Sequence, residues 1–147
     1  MCLGNICRSP MAEGILRRDA EAAGVDVEID SAGTGNWHVG GPPDPRARET
    51  GIARGCRMDM RARQVRPYDF EEFDLIVAMD RQNHRDLLRW PGADPAKVRL
   101  ASSFDPGGPT DVGDPYYGCA DGFEVVADQL ERISLGVVQL VKELSDE

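Results

Sequence analysis

No apolar run in this sequence approaches the ~20 residues that a membrane-spanning helix needs, and no signal peptide opens it. A helical membrane protein and a secreted disulfide scaffold are both excluded as expectations. Cysteine is scarce: Cys2, Cys7, Cys56 and Cys119 are too few and too spread to staple a small fold. A reducing cytoplasm is the expected compartment, where a thiol is catalytic or buried rather than cross-linked. Basic residues are also short, with Lys+Arg 17 against Asp+Glu 26 and a net charge of -9. No nucleic-acid partner is therefore expected, since such a partner calls for a basic face. Histidine is confined to His38 and His84, and the Cys2–Cys7 pair has no matching second pair, so no metal site is predicted. Acidity does not exclude an anionic substrate, because a ring of amides with one arginine outweighs a distant field.

What remains is an ordinary globular composition, 41% hydrophobic and 29% charged, on a 147-residue chain that suits one domain over residues 1–147. No repeat or linker divides it. Pro10 suits a first helical turn, Met11, Ile15, Leu16 and Ala20 follow helical spacing, and Gly24 is a fitting stop. Val25, Val27 and Ile29 alternate with acidic residues, which predicts a strand. A glycine- and proline-rich loop leads to a helix from about Pro45 to Arg54. Leu75–Met79 reads as a buried parallel strand, Arg81–Trp90 as a helix and Val98–Leu100 as a short strand. Residues 102–122 are turn-rich and too long to be idle, hence a candidate active-site loop. Val126, Leu130, Ile133, Val137, Leu140 and Leu144 mark an amphipathic closing helix. Alternating strands and helices predict an α/β fold: a small parallel sheet flanked by helices.

The chemistry-bearing stretch is Cys2-Leu-Gly-Asn-Ile-Cys-Arg-Ser9, running straight into a helix. Consecutive amides in a tight loop, with a helix start behind them, form a phosphate cradle. Here Leu3, Gly4, Asn5, Ile6, Cys7 and Arg8 would line it. Gly4 and Asn5 supply the backbone freedom such a loop needs. Arg8 offers a bidentate fork to two phosphate oxygens, which lysine does not. Cys2 at the bottom of this bowl is expected to be a thiolate, such environments lowering a thiol to roughly 3.5–7.5. It would attack phosphorus to give a phosphocysteine. Ser9 is placed to donate to the sulfur and ease its departure.

Taken with Ser31-Ala-Gly-Thr, Trp37-His-x-Gly, Asp44-x-Arg46, Ala62-Arg-Gln64, Met79-Asp80 and Asp114-Pro-Tyr-Tyr117, this stretch resembles the low-molecular-weight protein tyrosine phosphatases along nearly the whole chain. The resemblance implies a flavodoxin-like architecture and hydrolysis of protein phosphotyrosine and small aryl phosphates, with no cofactor. It implies Asp114 as general acid and later base, worth typically ~10²–10⁴ in rate. It implies Trp37 and Tyr116, with Tyr117 beside them, as walls around the substrate ring. Asn5 and Asp44 become residues that fix the loop, and Cys7 a resolving thiol for a reversible disulfide with Cys2. Cys56 and Cys119 are read as packing residues. The implied partner is a phosphotyrosine protein, a tyrosine kinase among the candidates, met by a monomer. An arsenate reductase, a protein-arginine phosphatase and a phosphate-binding module remain as alternatives. The scattered Cys56 and Cys119, Ile6 in place of threonine, and the joint presence of Cys2, Arg8, Ser9 and Asp114 weigh against each in turn.

Two departures from the pattern carry expectations. Met60 stands where many members have a histidine that supports the cradle serine, so Ser9 is expected to lack that partner and the pH profile to differ. The family's first strand, between the segments Val25–Ser31 and Leu75–Met79, is missing ahead of Cys2. Four or five buried apolar side chains are worth about 6–15 kcal/mol, as much as a whole domain's stability of about 5–15. The sequence therefore predicts a weakened fold, with a natural start upstream of Met1, a degenerate gene, or Met1 as a poor stand-in for the strand end.

Overall fold

The computed structural model describes residues 1–113 and 121–145. Its elements are α1 (Arg8–Ala23), α2 (Pro45–Ala53), α3 (Asp69–Glu72), β1 (Ile76–Ala78), α4 (Arg81–Leu88), β2 (Val98–Leu100) and α5 (Asp121–Ser145), with a 3-10 turn at Ala101–Phe104. α1 stops where Gly24 turns left-handed (φ 69), its amide closing on Ala20 and Glu21. Glycine alone takes that angle freely. Asp44 starts α2 and Asp80 starts α4, each accepting a backbone amide of the helix's first turn, Arg46 and Asn83 respectively. α3 had no sequence signal beyond its acidic residues.

β1 and β2 pair in parallel, Ile76 facing Val98, with α4 as the crossover. The sheet line continues past β1 through backbone contacts rather than a full strand. The Met1 amino group donates to the Val77 carbonyl at 2.7 Å, and Met79 N–H donates to the Met1 carbonyl at 3.0 Å. Parallel bridges then join Cys2 to Gly33 and Gly33 to Gln64. The small parallel sheet flanked by helices is as expected. One cluster beside it joins α1 and α5 through Met11, Ile15, Phe123 and Leu130, all essentially sealed from solvent. A second gathers Phe70, Ile76, Leu87 and Val98 around β1, β2 and α4.

The strand expected at Val25–Ile29 does not form. Residues 25–30 have no strand pairing, and no backbone–backbone hydrogen bond links Asp26–Asp30 to another described segment. A strand needs a neighbour's ladder, and between this segment and Leu75–Val77 lies a cavity of about 460 Å³. The alternating pattern is genuine, but there is no edge beside it to pair with.

Candidate active site

The opening loop is suspended between the sheet line and the start of α1, and three of its carbonyls are tied to the loops around it. Thr34 N–H donates to Cys2 O (2.9 Å), Gly35 N–H to Leu3 O (2.8 Å) and Asp44 N–H to Ile6 O (2.8 Å). With the carbonyls tied outward, the amides of Leu3, Gly4 and Ile6 have no protein partner among the described residues. Asn5 is the one non-glycine described residue in the left-handed region, at φ 56. That angle aims its N–H at the Cys2 sulfur, 3.3 Å away. Gly33 is forced by the same closeness: a Cβ there would sit 2.7 Å from the Leu3 carbonyl oxygen.

Cys2 Sγ lies 3.0 Å from Ser9 Oγ. The Asn5 side-chain amide donates to that same Ser9 oxygen at 2.8 Å, which leaves the serine proton for the sulfur. The other Asn5 amide proton goes to Ser31 Oγ at 3.0 Å, and the Ser31 hydroxyl donates to Glu13 at 2.7 Å. Asn5 Oδ1 in turn accepts Arg63 N–H at 2.9 Å. Asn5, Ser9, Ser31 and Glu13 are all buried, so the chain of hydrogen bonds is dry and nearly saturated. Ser9 therefore has a partner in Asn5. Met60, in the position of the expected histidine, is partly buried against the main core instead.

Arg8, buried at 3% exposure, is aimed by two contacts. Its Nη1 donates to Asp80 Oδ2 at 2.6 Å and to the Val112 carbonyl at 3.0 Å. Asp80 follows β1 directly, so the strand's carboxyl end steers the arginine. Val112 is wholly buried and its N–H donates to Met79 O at 2.8 Å, which anchors the loop two residues before Asp114. Asp114, Tyr116, Tyr117 and Cys119 lie outside the described residues. Trp37 stands exposed (69%) on the loop whose Gly35 bonds to Leu3; its indole lies so close over Gly35 that a Cβ there would overlap the ring. Asp44 is tied to Ile6 through its amide, while its carboxylate holds Arg46 and the α2 start. The Arg46 hydrogen bonds keep that carboxyl below its usual range, against the opposing effect of burial.

Cys7 and Cys56 are buried thiols, as Cys2 is. Burial pushes the Cys56 thiol up, which suits a packing residue and not a redox relay. Among the described residues no group of three or more His, Cys, Asp or Glu is placed to hold a metal ion, and no helix is long and apolar enough to cross a membrane.

Asp80 and Ser31 enter the sequence reading only as parts of motifs, and Glu13 is not singled out as a site residue. Glu13 stands four residues after Ser9, on the same face of α1, and that spacing was the available signal. Ser31 and Asp80 reach the loop through tertiary contacts that no local pattern reveals.

Unpartnered amides, a buried cysteine and an aimed arginine are the chemistry that a tetrahedral oxyanion calls for. The family model for low molecular weight phosphotyrosine protein phosphatase matches residues 1–147. The chain belongs to that family. It is 47% identical to a low molecular weight protein-tyrosine-phosphatase of Streptomyces coelicolor, over 97% of this chain and 92% of that protein. It is 42% identical to the low molecular weight phosphotyrosine protein phosphatase of Mus musculus, over 90% of this chain and 87% of that one. The crystal structure of a protein tyrosine phosphatase from Entamoeba histolytica with Hepes in its active site superposes with a TM-score of 0.92 at 38% identity, covering 98% and 95% of the two chains.

Proposed function

We propose that this phosphatase hydrolyses phosphotyrosine in cytoplasmic proteins, and small aryl phosphates, through a phosphocysteine formed on Cys2. The observation that carries the reading is the convergence of Asn5 N–H (3.3 Å) and Ser9 Oγ (3.0 Å) on one buried sulfur, with Arg8 held alongside. In the first step Cys2 sulfur bonds to phosphorus and the phosphorus–aryl oxygen bond breaks. The amides of residues 3–8 and the Arg8 guanidinium stabilise the equatorial oxygens throughout. Asp114 gives its proton to the departing phenolate, which is a poor leaving group at neutral pH. In the second step water attacks phosphorus and passes a proton to Asp114, the sulfur–phosphorus bond breaks, and inorganic phosphate leaves. The Ser9 hydroxyl, already oriented by Asn5, stabilises the sulfur as it departs.

The Val112 anchor supports Asp114 in this role, because the chain two residues ahead of it is fixed to Arg8. Trp37, with Tyr116 and Tyr117, supplies flat apolar walls suited to an aryl ring. Cys7, buried at the start of α1, serves as the resolving thiol that protects Cys2 from over-oxidation. The chain acts as a monomer without metal or cofactor.

The test is single-turnover hydrolysis of p-nitrophenyl phosphate followed by mass spectrometry. The protein should release p-nitrophenol and show a transient phosphate adduct on the Cys2 peptide. Cys2→Ser should bring turnover to background, and Asp114→Asn should slow aryl release about 10²–10⁴-fold. Full turnover by Cys2→Ser would sink the mechanism.

A further inference from the structure

The chain that leads to Asp114 is sparsely bonded for five residues and then held firmly for two. Asp105 is tied to Arg132 of α5. From Pro106 to Thr110 every residue is exposed, and Gly107 turns left-handed at φ 85. Among the described residues the one hydrogen bond of that stretch is internal to its turn, from Gly108 N–H to Asp105 O. Val112 then binds Met79 and Arg8 as described above, and Asp111 adds ties to the helices on either side. Its Oδ1 accepts the Arg81 N–H at 3.0 Å, a first-turn amide that α4 cannot satisfy by itself. Its Oδ2 takes Arg81 Nη2 at 3.2 Å, and the Arg81 bonds hold this carboxyl below its usual range. From the other side Gln129 of α5, buried like Val126, Leu130 and Ile133, donates its side-chain amide to the Asp111 carbonyl at 3.3 Å. A glutamine in that setting costs stability unless it is bonded, and Asp111 is what it bonds.

We propose that Asp111 and Gln129 are positioning residues for proton delivery: bonded to each other and to the start of α4, they fix the chain from which Asp114 reaches the leaving-group oxygen. The inference rests on the reading of Asp114 as general acid given above. Asp114 follows Val112 by two residues, a reach of about 7 Å at full extension, so a displacement at Asp111 or Val112 is carried to it. A carboxyl passes its proton to a phenolic oxygen only within hydrogen-bond reach, about 2.6–3.2 Å, as the phosphorus–oxygen bond breaks. Residues 106–110 supply no other fixed point on that side of the acid. The start of α4 divides the work between two carboxylates. Asp80 takes the Asn83 N–H with one oxygen and aims Arg8 with the other. Asp111 takes the Arg81 N–H and holds the chain of the acid. One helix start thus relates the group that stabilises the phosphoryl oxygens to the chain that carries the proton donor. Releasing Asp111 or Gln129 should impair protonation and spare phosphoryl binding, whereas a plain helix cap would treat all substrates alike.

The experiment compares kcat/KM of the whole protein on p-nitrophenyl phosphate and on phenyl phosphate. The nitro group stabilises the departing phenolate, so the first substrate leans on the acid less than the second. kcat/KM covers every step through aryl release, which is where the acid acts. Asp111→Ala should lower it about tenfold on phenyl phosphate, a part of the ~10²–10⁴ that complete loss of an acid costs, and at most about threefold on p-nitrophenyl phosphate. Gln129→Met leaves the α4 cap in place and should move the ratio of the two substrates in the same direction. Asp111→Asn, whose amide oxygen still accepts the Arg81 N–H, should restore most of the loss. In an Asp114→Asn background Asp111→Ala should add nothing to the ratio, because a positioning residue acts only through what it positions. A lower Tm with an unchanged ratio would reduce Asp111 to a helix cap and overturn the proposal. An equal fall on both substrates would overturn it too, since the loss would then run through Arg8, as would a full effect of Asp111→Ala without Asp114. If Asp114→Asn by itself left the ratio unchanged, the acid would lie elsewhere, and the reading beneath the proposal would fall with it.

Discussion

Two regions of this protein, the opening loop and residues 26–30, are built on opposite terms. Around the opening loop the buried polar side chains are tied to one another: Asn5 alone serves Ser9, Ser31, Arg63 and the Cys2 sulfur. Along residues 26–30 no backbone–backbone hydrogen bond reaches another described segment, the Ile29 carbonyl accepts only from the Arg17 side chain, and a cavity lies alongside. Both are extended from the same sheet line, one at its carboxyl end and one alongside. The contrast teaches that the cradle's geometry is fixed by bonds to the loops 31–44 and 62–64 and by α1, not by a complete sheet. Chemistry and sheet completion are separable here, and each can be perturbed alone.

The largest expected effect separates charge from geometry inside the cradle. Arg8→Lys keeps the charge but loses the planar fork, one arm of which Asp80 and Val112 aim. A fall of about 10²–10³ in kcat is expected, the usual cost of one lost transition-state donor. The protein's Tm should move little. If Arg8→Lys kept wild-type kcat, the aimed fork would be irrelevant and the site a plain cationic bowl.

Next comes the support behind the loop. Asp69 is wholly buried and accepts both Arg63 arms, at 2.9 and 3.2 Å, together with Arg66 N–H at 2.9 Å. Burial acts to raise its pKa, but these hydrogen bonds win and hold it below the usual carboxylate range. A carboxylate depressed in the folded state contributes stability that is fully present above its unfolded pKa of ~3.9 and disappears as pH falls through the folded value. Asp69→Asn should therefore cost about 3 kcal/mol at pH 7, at the low end for a broken buried pair because Arg63 reaches solvent. The gap to the wild type should close below about pH 4. A constant gap from pH 7 to pH 3, measured by denaturant unfolding, would contradict this. Because Arg63 N–H also holds Asn5, the variant's kcat reports whether strain at the support reaches the cradle.

A smaller effect is expected at Asn5 itself. Asn5→Ala strands the Ser9, Ser31 and Arg63 groups it now serves and places a β-carbon residue at φ 56 without a compensating side chain. A stability loss of about 2 kcal/mol is expected, since buried groups left unpaired cost roughly 1–3. Asn5→Gly should recover part of that stability by relieving the backbone, without recovering the Ser9 bond. If the glycine variant restored both Tm and kcat, the Asn5 side chain would matter only as a turn former.

How much of this was legible beforehand divides along the same line. Local signals worked wherever a residue's job is local: Pro10 lies in the first turn of α1 and Gly24 closes it, and the helices expected from about Pro45 and from Arg81 begin there. Contacts set by the tertiary fold were invisible. Nothing near Asp80 in sequence says that it aims Arg8, and nothing near Ser31 says that it passes an Asn5 proton on to Glu13. The alternation of Val25, Val27 and Ile29 was read as a strand because period-2 patterning reports which faces a segment offers, not whether a neighbour is present to pair with it. The 3-10 turn and α3 went unread because short helices are held by their surroundings, α3 by the Asp69 contacts above.

The smallest expected effect tests the other half of the contrast. Asp30 and the Ile29 carbonyl are held by side-chain bonds from Arg63 and Arg17, but Val27 makes no polar contact with the described residues, so a polar substitution there should be nearly free. Val27→Thr keeps the β-branched shape and adds a hydroxyl at a position already 37% exposed. Its Tm should fall within the ±0.5 kcal/mol typical of surface changes, about 1–2 °C, and kcat should be unchanged. The same change at a position facing a completed strand would strand a hydroxyl in an apolar interior at roughly 1–3 kcal/mol. Val27→Thr is therefore a gauge of occupancy. A negligible cost would show that residue 27 faces open space. A large cost would mean that the wall is already packed in solution, and that the two regions are less different than their hydrogen bonds suggest.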